Sequence, residues 1–429
     1  MKKYFILLCV ITITLFTFFS CESNNELISS EPTNNNQTNN NEPQQGEANI
    51  RFDIQLTDVE KEMAKQNADF SIRLLQAAND NYDDNSQIIL SPLSASFGLS
   101  MVTNGAVGDT QDELLETLGF DGFSTEEINA FNKKLIVELV DLDNTTSINI
   151  ANSLWLNNGF IAKDGFKRAL TTNYDAEVKT KDFADIKTID QINEWCEKKT
   201  NGNIKNFLEE LSPEHRFILL NSIYFKGGWA SKFGKAISGE FTTEEHTKQD
   251  VEYLCEKESR NLYVTNNLFS MAELPYGNRA YGLVVLLPKT DVGVAECLTA
   301  LTDNKWLEAI NSMKWATLNF KLPKFKVEDK RSLLDILNVM GIEKAFDTEA
   351  DFSSLSEQKT FISEIIQTNY LSIDENGTEA TTITEIAGMD GEVPPPLEII
   401  DFHVNRPFLY FIKEKSTNTI LFMGKMGHI

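Results

Sequence analysis

Residues Glu375–Pro396 read ENGTEATTITEIAGMDGEVPPP. They follow a strand-like run, Tyr370–Asp374 (YLSID), and close on Pro394, Pro395 and Pro396. From Gly377 to Thr384 the stretch offers small and β-branched residues and no large core anchor. Taking every second residue gives Thr378, Ala380, Thr382, Thr384, Ile386 and Gly388, none of them charged. The alternate set, Glu379, Thr381, Ile383, Glu385 and Ala387, carries both charges. Strand side chains alternate between faces, so the segment can lie in a sheet with its uncharged face on a core. Its flanking glycine and prolines favour an exposed, extended excursion instead. A loop written as a latent strand is therefore the feature around which the rest is read.

The chain has 429 residues, is 41% hydrophobic and carries a formal net charge of −25. That charge argues against nucleic acid as a partner, because phosphates repel it; it reads as a soluble acidic surface. Lys2 and Lys3 precede an apolar run from Tyr4 to Phe19, which Ser20 and Cys21 close. This is the pattern of a secretory signal over residues 1–20. A cysteine directly after a small residue resembles a lipoprotein cleavage site, at which Cys21 is acylated and becomes the new N-terminus. Residues 21–50, rich in Asn, Gln, Glu and Ser, read as a flexible tether. The expectation is an exported protein, lipid-anchored through Cys21 at a bacterial cell envelope, periplasmic or surface-exposed. Cys196, Cys255 and Cys297 are too widely spaced for a disulfide framework or a zinc site and are expected to be buried and inert.

Residues 51–429 read as one mixed helix-and-sheet domain. Helical spacing runs from Thr57 to Asp80, and Ser91-Pro92 supplies a cap and a first-turn proline for a central helix. Thr110–Glu113 has the form of a capping box, as does Ser124–Glu127. Strands are expected at Ser147–Leu156, at Asp175–Phe183 and at Phe217–Lys226, whose nearly continuous apolar run reads as a central strand with Asn221 its polar exception. Helices are expected at Asp164–Asn173, Ile189–Lys199 and Arg331–Met340, and a terminal strand pair at Leu397–Lys413 and Ile420–Met426. His215, His246, His403 and His428 lack oriented carboxylate partners, and no nucleophile elbow, phosphate loop or zinc-protease motif is present. No enzyme, cofactor or metal is expected.

Several motifs then converge. They are Ile89-Leu-Ser-Pro-Leu-Ser94 with Gly108-Asp-Thr110; Ala151-Asn-Ser-Leu-Trp155; Glu194-Trp195 with Thr200-Asn-Gly202; and Leu220-Asn-Ser-Ile-Tyr-Phe-Lys-Gly227 with Trp229. Leu322-Pro-Lys-Phe325, Asp374-Glu-Asn-Gly-Thr-Glu-Ala380, Arg406-Pro-Phe-Leu409 and Phe422-Met-Gly-Lys425 follow. In this order they resemble the serpins, protein inhibitors that trap proteases by inserting a cleaved loop. The resemblance spans about Gln66 to Gly427 and implies an α+β fold of three β-sheets and eight or nine helices with an exposed reactive loop at about 375–396. It implies that Ser91, Ser94 and Asn221 lie where the large sheet parts, with Gln367 where the family usually has a histidine. Trp229 falls near the top, where insertion begins. Glu375, Gly377, Thr378, Glu379, Ala380, Thr381 and Thr382 form the hinge. The family's near-fixed distance from hinge glutamate to scissile bond, applied from Glu375, implies Gly391-Glu392; a loop one residue shorter implies Asp390-Gly391, and Met389-Asp390 is the third choice. With no Lys or Arg in that window, the implied partner is a serine, or a cysteine, endopeptidase that is not trypsin-like, held covalently by a monomer. The alternative reading is a non-inhibitory binding protein on the same scaffold.

Overall fold

Thr57 opens the first helix, α1 (Asp58–Asn81), through a reciprocal cap: its hydroxyl accepts from Glu60 N, and the Glu60 carboxylate accepts from Thr57 N. The computed structural model describes residues 48–82, 86–302, 304–377 and 398–429. In chain order these form β1 (Gln87–Leu90), α2 (Pro92–Thr103), α3 (Asp109–Leu118), α4 (Thr125–Glu138), β2 (Thr146–Asn157), α5 (Asp164–Asn173), β3 (Glu177–Lys181), α6 (Lys187–Lys199) and β4 (Phe217–Gly227). There follow β5 (Ile237–Thr242), β6 (Lys248–Thr265), β7 (Phe269–Pro275), β8 (Tyr281–Pro288), α7 (Val294–Thr299), α8 (Lys305–Ser312) and β9 (Lys314–Pro323). The last are β10 (Phe325–Ser332), α9 (Leu334–Val339), β11 (Ile366–Ile373), β12 (Ile399–His403), β13 (Phe408–Glu414) and β14 (Ile420–Met426).

The fold is α+β, and among the described residues the strands form three ladders. The largest runs β1-β14-β13-β8-β7-β6-β9-β12, with β5 added on β6. The other two are β3-β2-β4 and the antiparallel pair β10-β11. Helix α2 lies at the centre, apolar nearly all round and buried along almost its whole length. Every residue of β8, β13 and β14 is buried as well. A second, smaller core sits under α6, where Trp195 and Ile192 pack with Trp155, Phe207, Leu208 and Leu220.

Several local expectations are corrected. Thr110 and Glu113 do not cap α3, whose N-cap is Gly108, without a side-chain cap. Their side chains serve tertiary contacts instead: Thr110 Oγ1 accepts from Asp351 N, and the Glu113 carboxylate accepts from the backbone N–H groups of Glu343 and Lys344. The helix expected at Arg331–Met340 is shorter, because Arg331 and Ser332 pair with Gln367 and Ile366 in the β10-β11 ladder. The run expected as one strand up to Lys413 is two, β12 and β13, broken around Pro407; β12 joins β9 in parallel while β13 pairs with β14 and β8. Cys255 is only half-buried, whereas Cys196 and Cys297 are buried as expected. The largest departure concerns β4, which reads as a central strand. Among the described residues it pairs with β2 on one side and with no strand on the other.

Candidate functional site: a groove between two strand edges

Strand β4 is apolar because both its faces meet protein, yet Phe217, Ile218 and Leu219 remain only half-buried. Across from them stands β11. No ladder joins the two among the described residues. Between them runs a groove of ≈ 940 Å³. Its floor is α2, through Ser94, Ala95, Gly98, Leu99 and Val102. One wall is Phe217–Asn221; the other is Thr360–Gln367, the segment leading into β11 and the first two residues of that strand. Unpaired backbone on a strand edge is a template for a further strand, and a cleft between two such edges offers ladder partners on both sides.

The middle of the groove is polar, and this is where the structure gathers Ser91, Ser94, Asn221 and Gln367. Gln367 is buried and forms a two-way bond with one residue: its Oε1 accepts from Ser91 N (2.9 Å) and its Nε2 donates to Ser91 O (2.8 Å). Ser91 Oγ caps α2 and donates to Leu421 O (2.8 Å), so this one residue, through its hydroxyl and its backbone, ties helix, strand edge and β14 together. Asn369, two residues along the same face of β11, donates to Gln367 Oε1 (2.9 Å) and to Ile89 O (3.2 Å). On the opposite wall Asn221 donates to Asn152 Oδ1 (2.6 Å), directly across the β2-β4 ladder, and Asn152 donates to Tyr174 O (2.6 Å). The side-chain oxygens of Asn221, Ser222 and Thr368 have no hydrogen-bond partner among the described residues. Buried acceptors without donors are costly, and an extended segment laid between the walls brings donors.

Beyond the ends of β4 and β11 a side chain joins the two segments. Trp229 Nε1 donates to Asp374 O (2.8 Å), just past the end of β11. The indole is stacked on Tyr276, with ring centroids 4.5 Å apart, and meets Phe233 edge-on. Gly377 turns back over this contact at φ 83°. A side chain there would start 2.5 Å from Gly227 O and 2.8 Å from Trp229 N, so only glycine fits. Glu375 is held by Lys324 (2.9 Å), which also reaches Glu252 (3.3 Å). The hydrogen bond from Lys324 lowers the Glu375 carboxyl below its usual range and raises the Lys324 ammonium.

Of the expected site residues, the structure thus brings together Ser91, Ser94, Asn221 and Gln367 at the groove, and Trp229, Glu375 and Gly377 where the chain leaves β4 and β11. Thr378, Glu379, Ala380, Thr381 and Thr382, the candidate bonds Met389–Glu392, and Cys21 lie outside the described residues. Sequence reading missed Lys324, Asn152, Asn369 and Tyr276. Two of these stand inside quoted motifs, Leu322–Phe325 and Ala151–Trp155. An amide at every second position of a strand, as with Gln367 and Asn369, was the available signal for a buried polar face.

Comparison with known proteins fits this geometry. A family described as "Serpin (serine protease inhibitor)" matches residues 65–429. Iripin-3 of Ixodes ricinus is 32% identical over 375 residues, covering 84% of this chain and 93% of that protein. Among solved structures, the thermophilic serpin tengpin in its native state aligns with a TM-score of 0.77 at 29% identity, covering 89% of this chain and 97% of that one. Human thyroxine-binding globulin in complex with thyroxine aligns at 0.76 and 26% identity, covering 86% and 99%. The chain belongs to the serpin family of protease inhibitors and is not an enzyme.

Proposed function

We propose that this chain is a suicide-substrate inhibitor of an endopeptidase, and that the groove between β4 and β11 receives its cleaved loop. The observation that supports this most directly is the pair of unpaired strand edges facing each other over α2. In this reading the protease attacks the segment 375–396 as a substrate. The freed half then enters the groove as a new strand and carries the covalently attached protease with it. Each ladder hydrogen bond gained is worth about 0.5–1.5 kcal/mol net, so roughly ten give on the order of 10 kcal/mol. The uncut state is therefore a kinetic trap. Dragging distorts the protease, and a misplacement of about 1 Å already costs ~10²-fold in rate, so the acyl-enzyme persists.

The uncharged set Thr378, Ala380, Thr382 and Thr384 can face the core on insertion, where a charge would have to be buried. Thr378→Arg is expected to turn the inhibitor into a substrate. Gly391-Glu392 suits an elastase- or subtilisin-like protease with a small primary pocket, and Asp390-Gly391 one that prefers aspartate; the mass of the released C-terminal peptide distinguishes them. Cys21 is the anchor in this reading, and Cys21→Ala is expected to move the protein from the membrane fraction to the soluble one. The deciding experiment is incubation with a protease panel. A detergent-resistant complex, and a clipped form that melts well above the intact one, support inhibition. Neither result with any protease favours a binding protein built on the same scaffold, the role named for thyroxine-binding globulin.

A further inference from the structure

We propose that the Asn376-Gly377 bond is a self-modification site. Each opening of the turn around it lets the Asn376 carboxamide react with the Gly377 nitrogen, and the isoaspartate that results unseats Gly377. The proposal needs no protease and stands apart from the inhibitory reading above.

The turn is closed through one residue. Asp374 O accepts from Gly377 N (3.1 Å) and from Trp229 Nε1 (2.8 Å), and Asp374 Oδ1 accepts from Asn376 N (2.8 Å). Asp374 therefore makes the side-chain bond for which asparagine is commonly used in turns. Gly377 is buried, and its seat against Gly227 O admits no side chain. Asn376 is under no such constraint: it is exposed, and its carboxamide makes no hydrogen bond among the described residues. The fold thus fixes glycine at 377 and leaves 376 open, and the residue at 376 is a chemically labile one.

The reaction needs only water. The Gly377 nitrogen gives up its proton and attacks Asn376 Cγ. A C–N bond closes a cyclic imide, and the side-chain nitrogen leaves as ammonia. Water then adds at one of the two imide carbonyls and breaks its C–N bond. Addition at Cγ gives aspartate. Addition at the main-chain carbonyl gives isoaspartate, whose backbone runs through the side chain and is one methylene longer. Glycine permits the approach because it has no Cβ. In the closed turn the attacking nitrogen is engaged with Asp374 O, so reaction is confined to local opening. A longer backbone then cannot return Gly377 to a seat with no spare room.

Three other Asn-Gly bonds serve as internal controls: Asn104-Gly105, Asn158-Gly159 and Asn201-Gly202. Asn104 is locked in a two-way amide pair with Asn129 (3.1 and 2.8 Å), and Gly105 is buried. Gly202 N donates to Glu197 O (2.8 Å). Asn158 and Gly159 are both exposed, and the Gly159 N–H has no partner among the described residues.

The test is peptide mapping by mass spectrometry of the intact protein aged at pH 8, with isoaspartate scored at all four bonds. Asn158 is expected to convert first and Asn104 last, with Asn376 between them. Trp229→Phe keeps a ring on Tyr276 and removes the bond to Asp374 O. It is expected to speed conversion at Asn376 about fivefold, the factor one net hydrogen bond carries, and to leave the other three bonds unchanged. Asp374→Ala, which removes the bond to Asn376 N, should act in the same direction. Tryptophan emission of the aged wild type should shift in proportion to conversion at Asn376. Aged Asn376→Gln, whose longer side chain closes an imide far more slowly, should keep the spectrum of fresh protein. An unchanged rate at Asn376 in both turn variants, or an equal rise at all four bonds, overturns gating by the turn. Conversion at Asn376 with no change in emission overturns the unseating of Gly377.

Discussion

Replacing Gln367 with methionine keeps the length and volume of the side chain and removes its amide. Three hydrogen bonds go, but they are not equal. Ser91 O also accepts from Ala95 N (3.1 Å), and Asn369 keeps its bond to Ile89 O (3.2 Å), so those groups lose one partner of two. Ser91 N loses its side-chain partner inside the protein, where Ser91 and Gln367 are both buried. A buried donor left without an acceptor costs about 1–3 kcal/mol, and each bond lost from a group that keeps another about 0.5–1.5. Offset by the apolar contacts of methionine, the change should destabilise the protein by about 3 kcal/mol. For a domain of this length the unfolding entropy is about 0.8 kcal/mol per degree, which gives a fall of about 4 °C in melting temperature. Circular dichroism of the two proteins side by side is sufficient. A fall of less than about 1 °C would mean that the two-way bond between Gln367 and Ser91 contributes little to holding β11 against α2, and the account of the groove's polar centre would have to be abandoned.

Three other perturbations probe the rest of the site. Gly377→Val puts a branched side chain at φ 83° against Gly227 O; it should cost at least ~2 kcal/mol, lower the melting temperature by a few degrees and red-shift Trp229 emission, and an unshifted spectrum would show that Gly377 does not pack there. The Lys324–Glu375 pair is half-exposed and worth no more than about 0.2–1 kcal/mol after solvent screening. Because the folded Glu375 carboxyl is lowered, that contribution is full above the ordinary glutamate range and is lost as pH falls through the lowered value, so melting curves of wild type and Lys324→Met should differ at pH 6 and converge at pH 3. Burial pushes the thiols of Cys196 and Cys297 up to about 12, so brief alkylation at pH 8 followed by peptide mapping should find label on half-buried Cys255 and none on the other two, whereas label on Cys196 would place α6 away from its core.

Where a local rule and the tertiary structure agree, the sequence could be read. Thr57 and Ser124 cap helices because Glu60 and Glu127 turn back onto the cap N–H groups, Glu60 while also pairing with Lys134. Asp164–Asn173 forms its helix with the bounds its pattern implies. Thr110 and Glu113 present the same cap pattern and fail, since residues 343–351 take both side chains, and nothing local announces that competition. Arg331 and Ser332 continue a helical pattern but are drawn into a ladder by β11, more than thirty residues away in the chain. The polar centre was legible as residue types and not as bonds. Asn152, Asn221, Gln367 and Asn369 are amides set in apolar strands, but their pairing depends on which strands are neighbours.

The reading of β4 fails in a way that bears on function. A strand whose residues are apolar on both faces is expected inside a sheet, with a neighbour on each side. Among the described residues the second neighbour is missing along Phe217–Asn221, and the half-buried side chains and the unpartnered Asn221 Oδ1 of that wall record it. Agreement between local preference and global structure is the mark of a chain at rest, and natural sequences break it mainly where function requires. The residues of β4 are those of a strand with two partners, and this arrangement supplies one. The segment 375–396, uncharged at every second position from Thr378 to Gly388 and joined to the neighbouring strand through Gly377, has the composition to supply the other. Under the insertion proposed above, the misreading of β4 is a reading of a second arrangement of the same chain, in which the groove is filled and the strand is central.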